Sequence, residues 1–298
     1  MKIVPSPYAT ALARTPVVQH ETVVDGVPAS WWEYGAPGDG PTLLLVHGFR
    51  GDHHGLEPVI AFLPGVHVVA PDLPGFGLSS PLPGEHSVDG YARWVAAFAT
   101  ATGLGEGAVV VGHSFGTIIA AKALAEGLPA ARAILINPIA SPALAGPNAL
   151  GTRLAAFYYR LGARLPERAG TALLNHPLIV RGAGAFLAKT KDRGLRRWIH
   201  SQHDRYFSAY QGRRVVLEAF TASVTHDVSE WTDALRLPVH LIAGEHDDIT
   251  PLADVRALAA ALPDATLAVI PDVGHLIHYE TPQRAASEVA AAAGVRSA

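Results

Sequence analysis

Six short runs of consecutive apolar residues punctuate the chain: Thr42–Val46, Val66–Ala70, Ala108–Val111, Ala133–Ile136, Val239–Ala243 and Thr266–Ile270. A strand with one wet face alternates apolar and polar positions, and these runs do not, so they predict strands covered on both faces. Between them, His54–Phe62, Val88–Ala101, Phe115–Leu128, Asp254–Leu262 and Gln283–Ala292 repeat apolar positions three or four apart, which predicts helices. Alternating strand and helix means a mostly parallel, doubly covered sheet of the α/β class. Ahead of the first run, Val17–Val24 and Ser30–Tyr34 flank Asp25-Gly26 and read as a hairpin at one sheet edge. The segment up to Pro16 has three prolines and no sustained period, so it is expected to be a loose arm or a strap across the domain.

The alternation stops between Pro138 and Glu230, where the pattern is helical, lacks a credible strand and carries Tyr158, Tyr159, Trp198 and Phe207. Connections between elements typically span about two to six residues, so a stretch of this length reads as an inserted helical subdomain. The expected organisation is a core of 1–137 and 231–298, with 1–16 as the N-terminal arm, and a helical cap at 138–230.

Composition narrows the chemistry. With 49% hydrophobic and 16% charged residues the chain folds, and a formal charge of −3 without a basic block makes nucleic acid an unexpected partner. The absence of cysteine excludes disulfides, a thiol nucleophile, Cys-ligated zinc and iron–sulfur clusters. No run resembles a signal peptide or a membrane span, so the expected location is the cytoplasm. The arm and the lid each offer a surface for a homodimer.

Val109-Val110-Val111-Gly112-His113-Ser114-Phe115-Gly116-Thr117 is the sharpest chemical signal. A strand that turns abruptly into a helix crowds the apex, and glycines two positions either side of Ser114 relieve that crowding. The serine hydroxyl is then exposed at the carboxyl end of a central strand, and the Phe115 amide lies at a helix N-terminus, which favours developing negative charge. A serine needs a base and the base needs an orienting acid. His275 follows the Thr266–Ile270 strand at the same sheet edge; His278, its competitor, reads as a packing or surface residue. After Val239–Ala243 comes Gly244-Glu245-His246-Asp247-Asp248, where Asp247 is the first choice for the acid and Asp248 the reserve. The loop His47-Gly48-Phe49-Arg50-Gly51 supplies the Phe49 amide as a second oxyanion donor, with His47 shaping the loop.

With these pieces, Asp72-Leu73-Pro74-Gly75-Phe76-Gly77-Leu78-Ser79 and Gly274-His275, the chain resembles the α/β-hydrolase superfamily over nearly its whole length, in the branch with a helical cap between the sixth and seventh strands. The resemblance implies that Ser114, Asp247 and His275 form the triad, that Phe49 and Phe115 supply the oxyanion amides, and that Asp72 organises a structural turn. Dehalogenases and epoxide hydrolases of this superfamily use an aspartate where Ser114 stands. Proline-cleaving peptidases, and many relatives that cut carbon–carbon bonds after ring fission, have more glycines after His-Gly than Phe49-Arg50-Gly51 provides. The alternative acid position after the sixth strand is Asn137, which carries no charge.

Other clusters read more blandly. His200, His203 and Asp204 have helical metal spacing but suit a solvated cap face, and the adjacent His53 and His54 are expected to point apart. Gly103, Gly105 and Gly107 do not form a dinucleotide fingerprint. No metal or cofactor is expected, and water is the second substrate. The expected activity is hydrolysis of a small to medium, mainly apolar carboxylic ester through an acyl-enzyme. The alternatives are a carbon–carbon hydrolase of a diketone or ring-fission product, a lactonase or a thioesterase; a ligand-binding protein or a cofactor-free oxygenase or perhydrolase stands further off.

Overall fold

The computed structural model describes residues 4–38, 40–144 and 149–295. Helix α1 (Ala9–Leu12) precedes β1 (Val17–Val24) and β2 (Val27–Tyr34), followed by β3 (Thr42–Val46), α2 (Glu57–Ile60), β4 (His67–Pro71), α3 (Val88–Ala101), β5 (Val109–His113), α4 (Phe115–Ala125) and β6 (Arg132–Ile136). Helices α5 (Ala149–Arg164), α6 (Glu167–Leu174), α7 (Pro177–Leu187), α8 (Arg193–Tyr206) and α9 (Arg213–Thr225) then form the inserted cap. The core resumes with β7 (Val239–Gly244), α10 (Leu252–Ala261), β8 (Ala265–Ile270), α11 (Ile277–Glu280) and α12 (Pro282–Ala293).

The strands form one sheet in the order β1-β2-β4-β3-β5-β6-β7-β8, parallel from β4 to β8 and antiparallel at the β1–β2–β4 edge. The uninterrupted apolar runs are explained by two cores. In β3, Leu44 and Val46 pack into the cluster on the α3, α4 and α10 face, whereas Leu43 and Leu45 pack into the one holding residues of α2 and α12. Asp25 and Gly26 both take positive φ, 48° and 79°, as a two-residue hairpin turn whose twist matches its strands requires. That tight turn pairs Val24 with Val27, so β2 starts three residues before the expected Ser30.

The helix expected over His54–Phe62 is instead a short 3-10 turn at His53–Gly55 and one α turn, with Pro58 at the start of α2. Gly55 and Pro58 within six residues leave too little uninterrupted helix former for a longer element. Residues 4–16 of the opening segment act as a strap. The Tyr8 hydroxyl donates to the Tyr279 carbonyl at 2.7 Å, and its ring packs edge-on against Phe62 and Trp198, touching both the core and cap helix α8.

Candidate active site

Parallel strands release their carboxyl ends at one rim, and the rim collects Phe49 after β3, Ser114 after β5, Asn137 after β6, Asp247 after β7 and His275 after β8. Ser114 caps α4 with φ 53° and ψ −120°, a left-handed backbone that costs a non-glycine residue about 1–3 kcal/mol. The flanking glycines are steric necessities. A Cβ on Gly116 would collide with the Val46 and His47 carbonyl oxygens, and one on Gly112 with the Gly116 carbonyl. Thr117 locks the turn from below, its amide and hydroxyl donating to the Ser114 carbonyl at 2.8 and 2.6 Å.

Ser114 Oγ lies 2.8 Å from His275 Nε2, and His275 Nδ1 lies 2.8 Å from Asp247 Oδ2. The second contact is to a carboxylate, so Nδ1 carries the proton and Nε2 is free to accept from the serine hydroxyl. Asp247 is buried and saturated: Oδ1 accepts from the Ile249 and Thr250 amides and Oδ2 from the Thr250 hydroxyl at 2.7 Å. Burial alone would push the Asp247 pKa up, but the adjacent His275 and the bonds from His275 and Thr250 outweigh it, and the carboxyl falls below its ordinary value. The reserve acid, Asp248, turns toward the cap and pairs with Lys189.

Asn137 takes no part in charge. It holds the two loops together, donating through Nδ2 to the His275 carbonyl at 2.8 Å and accepting the Gly244 amide on Oδ1 at 3.1 Å. Asp72, fully buried, accepts from the His53 and Leu78 amides and lies 2.9 Å from His53 Nδ1, a structural turn below the rim.

Gly48 brings the β3 loop against Ser114, since a Cβ there would stand 3.2 Å from Ser114 Cβ. His47 receives the Leu73 amide on Nε2 at 2.8 Å, so its proton sits on Nδ1 and donates to the Gly48 carbonyl at 2.9 Å. Burial lowers the His47 pKa and keeps it neutral, a fixed brace for the loop. Phe115 is the first residue of α4, where the backbone amides have no helical carbonyl to bind. Phe49 projects its ring toward Tyr159 and Phe220 of the cap, 5.6 and 5.7 Å between centroids, which anchors its backbone at the rim.

The chamber over the triad has a volume of about 100 Å³. Its cap side is formed by Leu187, Gln202, His203, Tyr206 and Phe207. Of the cap aromatics Tyr158, Tyr159, Trp198 and Phe207, Phe207 lines it; Tyr158 and Tyr159 pack with Phe220, and Trp198 packs beside Tyr8 and Tyr279. His278, expected to be a packing or surface residue, is buried in the chamber wall 4.3 Å from the His113 ring. Burial lowers His278 well below its ordinary pKa, His113 to about 3 and His203 to about 4, so all three are neutral imidazoles near pH 7. These histidines therefore give the chamber hydrogen-bonding nitrogens without adding charge.

His200, His203 and Asp204 do not bring three ligand atoms together, and Asp204 pairs instead with Arg181 at 3.2 Å. His53 and His54 do not point apart; their rings tilt together at 3.8 Å, between Trp32 on one side and the cap's Tyr206 on the other. With Asp52 they could reach a common ion, but Asp72 and Asp52 already engage their Nδ1 atoms.

The fold and this rim define an α/β hydrolase. The chain belongs to the alpha/beta hydrolase family, whose model matches residues 43–289. A curated relative, 2-succinyl-6-hydroxy-2,4-cyclohexadiene-1-carboxylate synthase of Salmonella typhimurium, is 31% identical over 255 residues, covering 83% of this chain and 91% of the relative. Two solved structures share the fold. An esterase from Exiguobacterium antarcticum matches with a TM-score of 0.75 at 15% identity, covering 92% of this chain and 98% of its own. Esterase RhEst1 from Rhodococcus sp. ECU1013 matches with a TM-score of 0.74 at 22% identity, covering 93% and 98%.

Proposed function

We propose that the protein is a serine-dependent hydrolase that acts at the carbonyl of a short acyl group, with Ser114, His275 and Asp247 as its triad. The observation that carries this reading is the in-line pair of 2.8 Å contacts from Ser114 Oγ to His275 Nε2 and from His275 Nδ1 to Asp247 Oδ2. Ser114 Oγ attacks the carbonyl carbon as its proton passes to His275 Nε2, and Asp247 stabilises the resulting imidazolium. The Phe49 and Phe115 amides receive the oxyanion, a contribution of about 2.7–4 kcal/mol per donor where such donors have been removed. His275 returns the proton to the leaving group, and water, deprotonated by the same imidazole, releases the acid from Ser114.

A chamber of about 100 Å³ suits a short acyl group. The bond broken is then the carbon–oxygen or carbon–sulfur bond of a short ester or thioester, or a carbon–carbon bond beside a carbonyl. The curated relative is named for making a cyclohexadiene ring that carries a carboxylate and a succinyl group, which supports chemistry on a functionalised carbon skeleton. A fluorophosphonate probe, with mass spectrometry of the labelled peptide, tests the nucleophile: labelling at Ser114, abolished in His275→Ala, is expected. An unlabelled Ser114 in folded protein removes the proposal. Turnover of p-nitrophenyl butyrate against a vinylogous diketone then separates the two bond classes.

A further inference from the structure

The widest cavity described lies in the cap, where a groove of about 1050 Å³ opens beside α7 and α8. Its walls carry Arg181, Arg193, Arg196, Arg197 and Arg205 against one acid, Asp204. The sequence of α8 makes this face: positions 193, 196, 197, 200, 201 and 204 all line the groove, and their spacing of three, one, three, one and three is one side of a helix. His203 and Tyr206 of the same helix line the triad chamber, and Gln202 borders both spaces. Helix α8 is thus a partition with a cationic outer face and a catalytic inner one.

The charge is regional. Residues 138–230 hold 13 Lys and Arg against 6 Asp and Glu, a balance of +7, while the remainder holds 10 against 20, a balance of −10. Arg181 is matched by Asp204 at 3.2 Å, and Arg196 spends a donor on the Ala188 carbonyl at 3.3 Å. Guanidinium groups stay charged at any physiological pH, and their planar forks match carboxylate and phosphate oxygens in pairs.

We infer that this groove is an anion subsite for the part of the substrate that does not fit the chamber, and that this part carries at least two negative charges on phosphate or carboxylate groups. The inference rests on the proposed role of Ser114 and adds the substrate's class: a short acyl group inside, a larger polyanionic remainder outside, passing Gln202.

Three substrates with one acyl group test it: neutral p-nitrophenyl butyrate, butyryl-coenzyme A for phosphate, and the butyrate ester of 5-hydroxyisophthalate for carboxylate. In Arg193→Gln/Arg197→Gln/Arg205→Gln protein, kcat/KM for at least one anionic substrate is expected to fall tenfold or more relative to the neutral ester, mainly through KM. The triple lysine variant should recover most of that loss. A fall confined to one anionic substrate identifies the group recognised. An unchanged ratio overturns the subsite, as does loss of binding to phosphatidylglycerol vesicles with no change in ratio, which would make the groove a membrane surface. Calorimetric titration of Ser114→Ala protein with coenzyme A and with 5-hydroxyisophthalate reads the groove without turnover. Binding that the triple glutamine substitution abolishes supports the subsite even if Ser114 is not a nucleophile, and absence of binding by both ligands overturns it.

Discussion

Ser114 carries both the strain and the proposed chemistry of the rim. Alanine at this position keeps the left-handed backbone and removes the hydroxyl, so Ser114→Ala is expected to lower turnover by several orders of magnitude with little change in melting temperature. Ser114→Gly removes the same hydroxyl and also relieves the strain at φ 53°, so urea unfolding should show it to be more stable than Ser114→Ala by about 1 kcal/mol. A glycine variant less stable than the alanine variant would show that the elbow is unstrained. The acids separate as sharply. Asp247→Asn loses the group that fixes the His275 proton on Nδ1 and should cost about ten-thousandfold in kcat, by precedent in serine proteases. Asp248→Asn weakens a partly exposed pair with Lys189, away from His275, and should stay within a few fold. The two adjacent aspartates are indistinguishable in sequence because the strand end alone does not say which side chain turns inward. The Asx-type turn from Asp247 to Thr250 decides it, and its only sequence trace is a threonine three residues after the acid.

Among the elements, the strap and the partition helix link core to cap. Tyr8 makes one hydrogen bond to the Tyr279 carbonyl and two edge-on ring contacts, bridging α8 and the segment that follows His275. Removing that bond alone in Tyr8→Phe should cost about 1 kcal/mol, while Tyr8→Ala should cost more and loosen α8. Hydrogen exchange at the α8 amides should rise in Tyr8→Ala, and unchanged protection there would show that the arm does not brace the cap. The parallel strands were legible because burial on both faces needs unbroken apolar runs. The arm and the His53–Gly55 turn were not, because their order comes from contacts with residues hundreds of positions away or from Gly and Pro breaking a pattern that otherwise reads as helix.

Across the whole molecule, buried histidines link stability to pH. His47, His113, His203 and His278 have lowered pKa values in the fold, so protons bind the unfolded chain first and stability falls as pH drops below about 6.5. With native values of about 3 and about 4, His113 and His203 should each remove about 2 kcal/mol between pH 7 and pH 5. His54 works the other way. Burial lowers its pKa, but the bond and charge of Asp52 outweigh burial and raise it, so its contribution is complete at low pH and fades as pH rises through the native value. Asp247, held low, adds a further loss only below the ordinary carboxylate range. Urea unfolding at pH 7, 6 and 5 should therefore show a steep decline, and His203→Gln should flatten it by about one proton's worth. An unaltered slope in that variant would place His203 in solvent contact.

The amino-acid sequence determined the sheet, the cap insertion and the rim on which Ser114, Asp247 and His275 meet, because two-sided burial and the crowding of a strand-to-helix turn leave strong local patterns. Only the tertiary structure decided that Asp248 turns to Lys189, that Asn137 ties two loops, that neutral histidines line the chamber walls and that the arginine face of α8 turns away from the triad. Those outcomes depend on which side chains share a space after the chain has closed, and local periodicity carries no information about distances between strand ends or about which way a helix face turns.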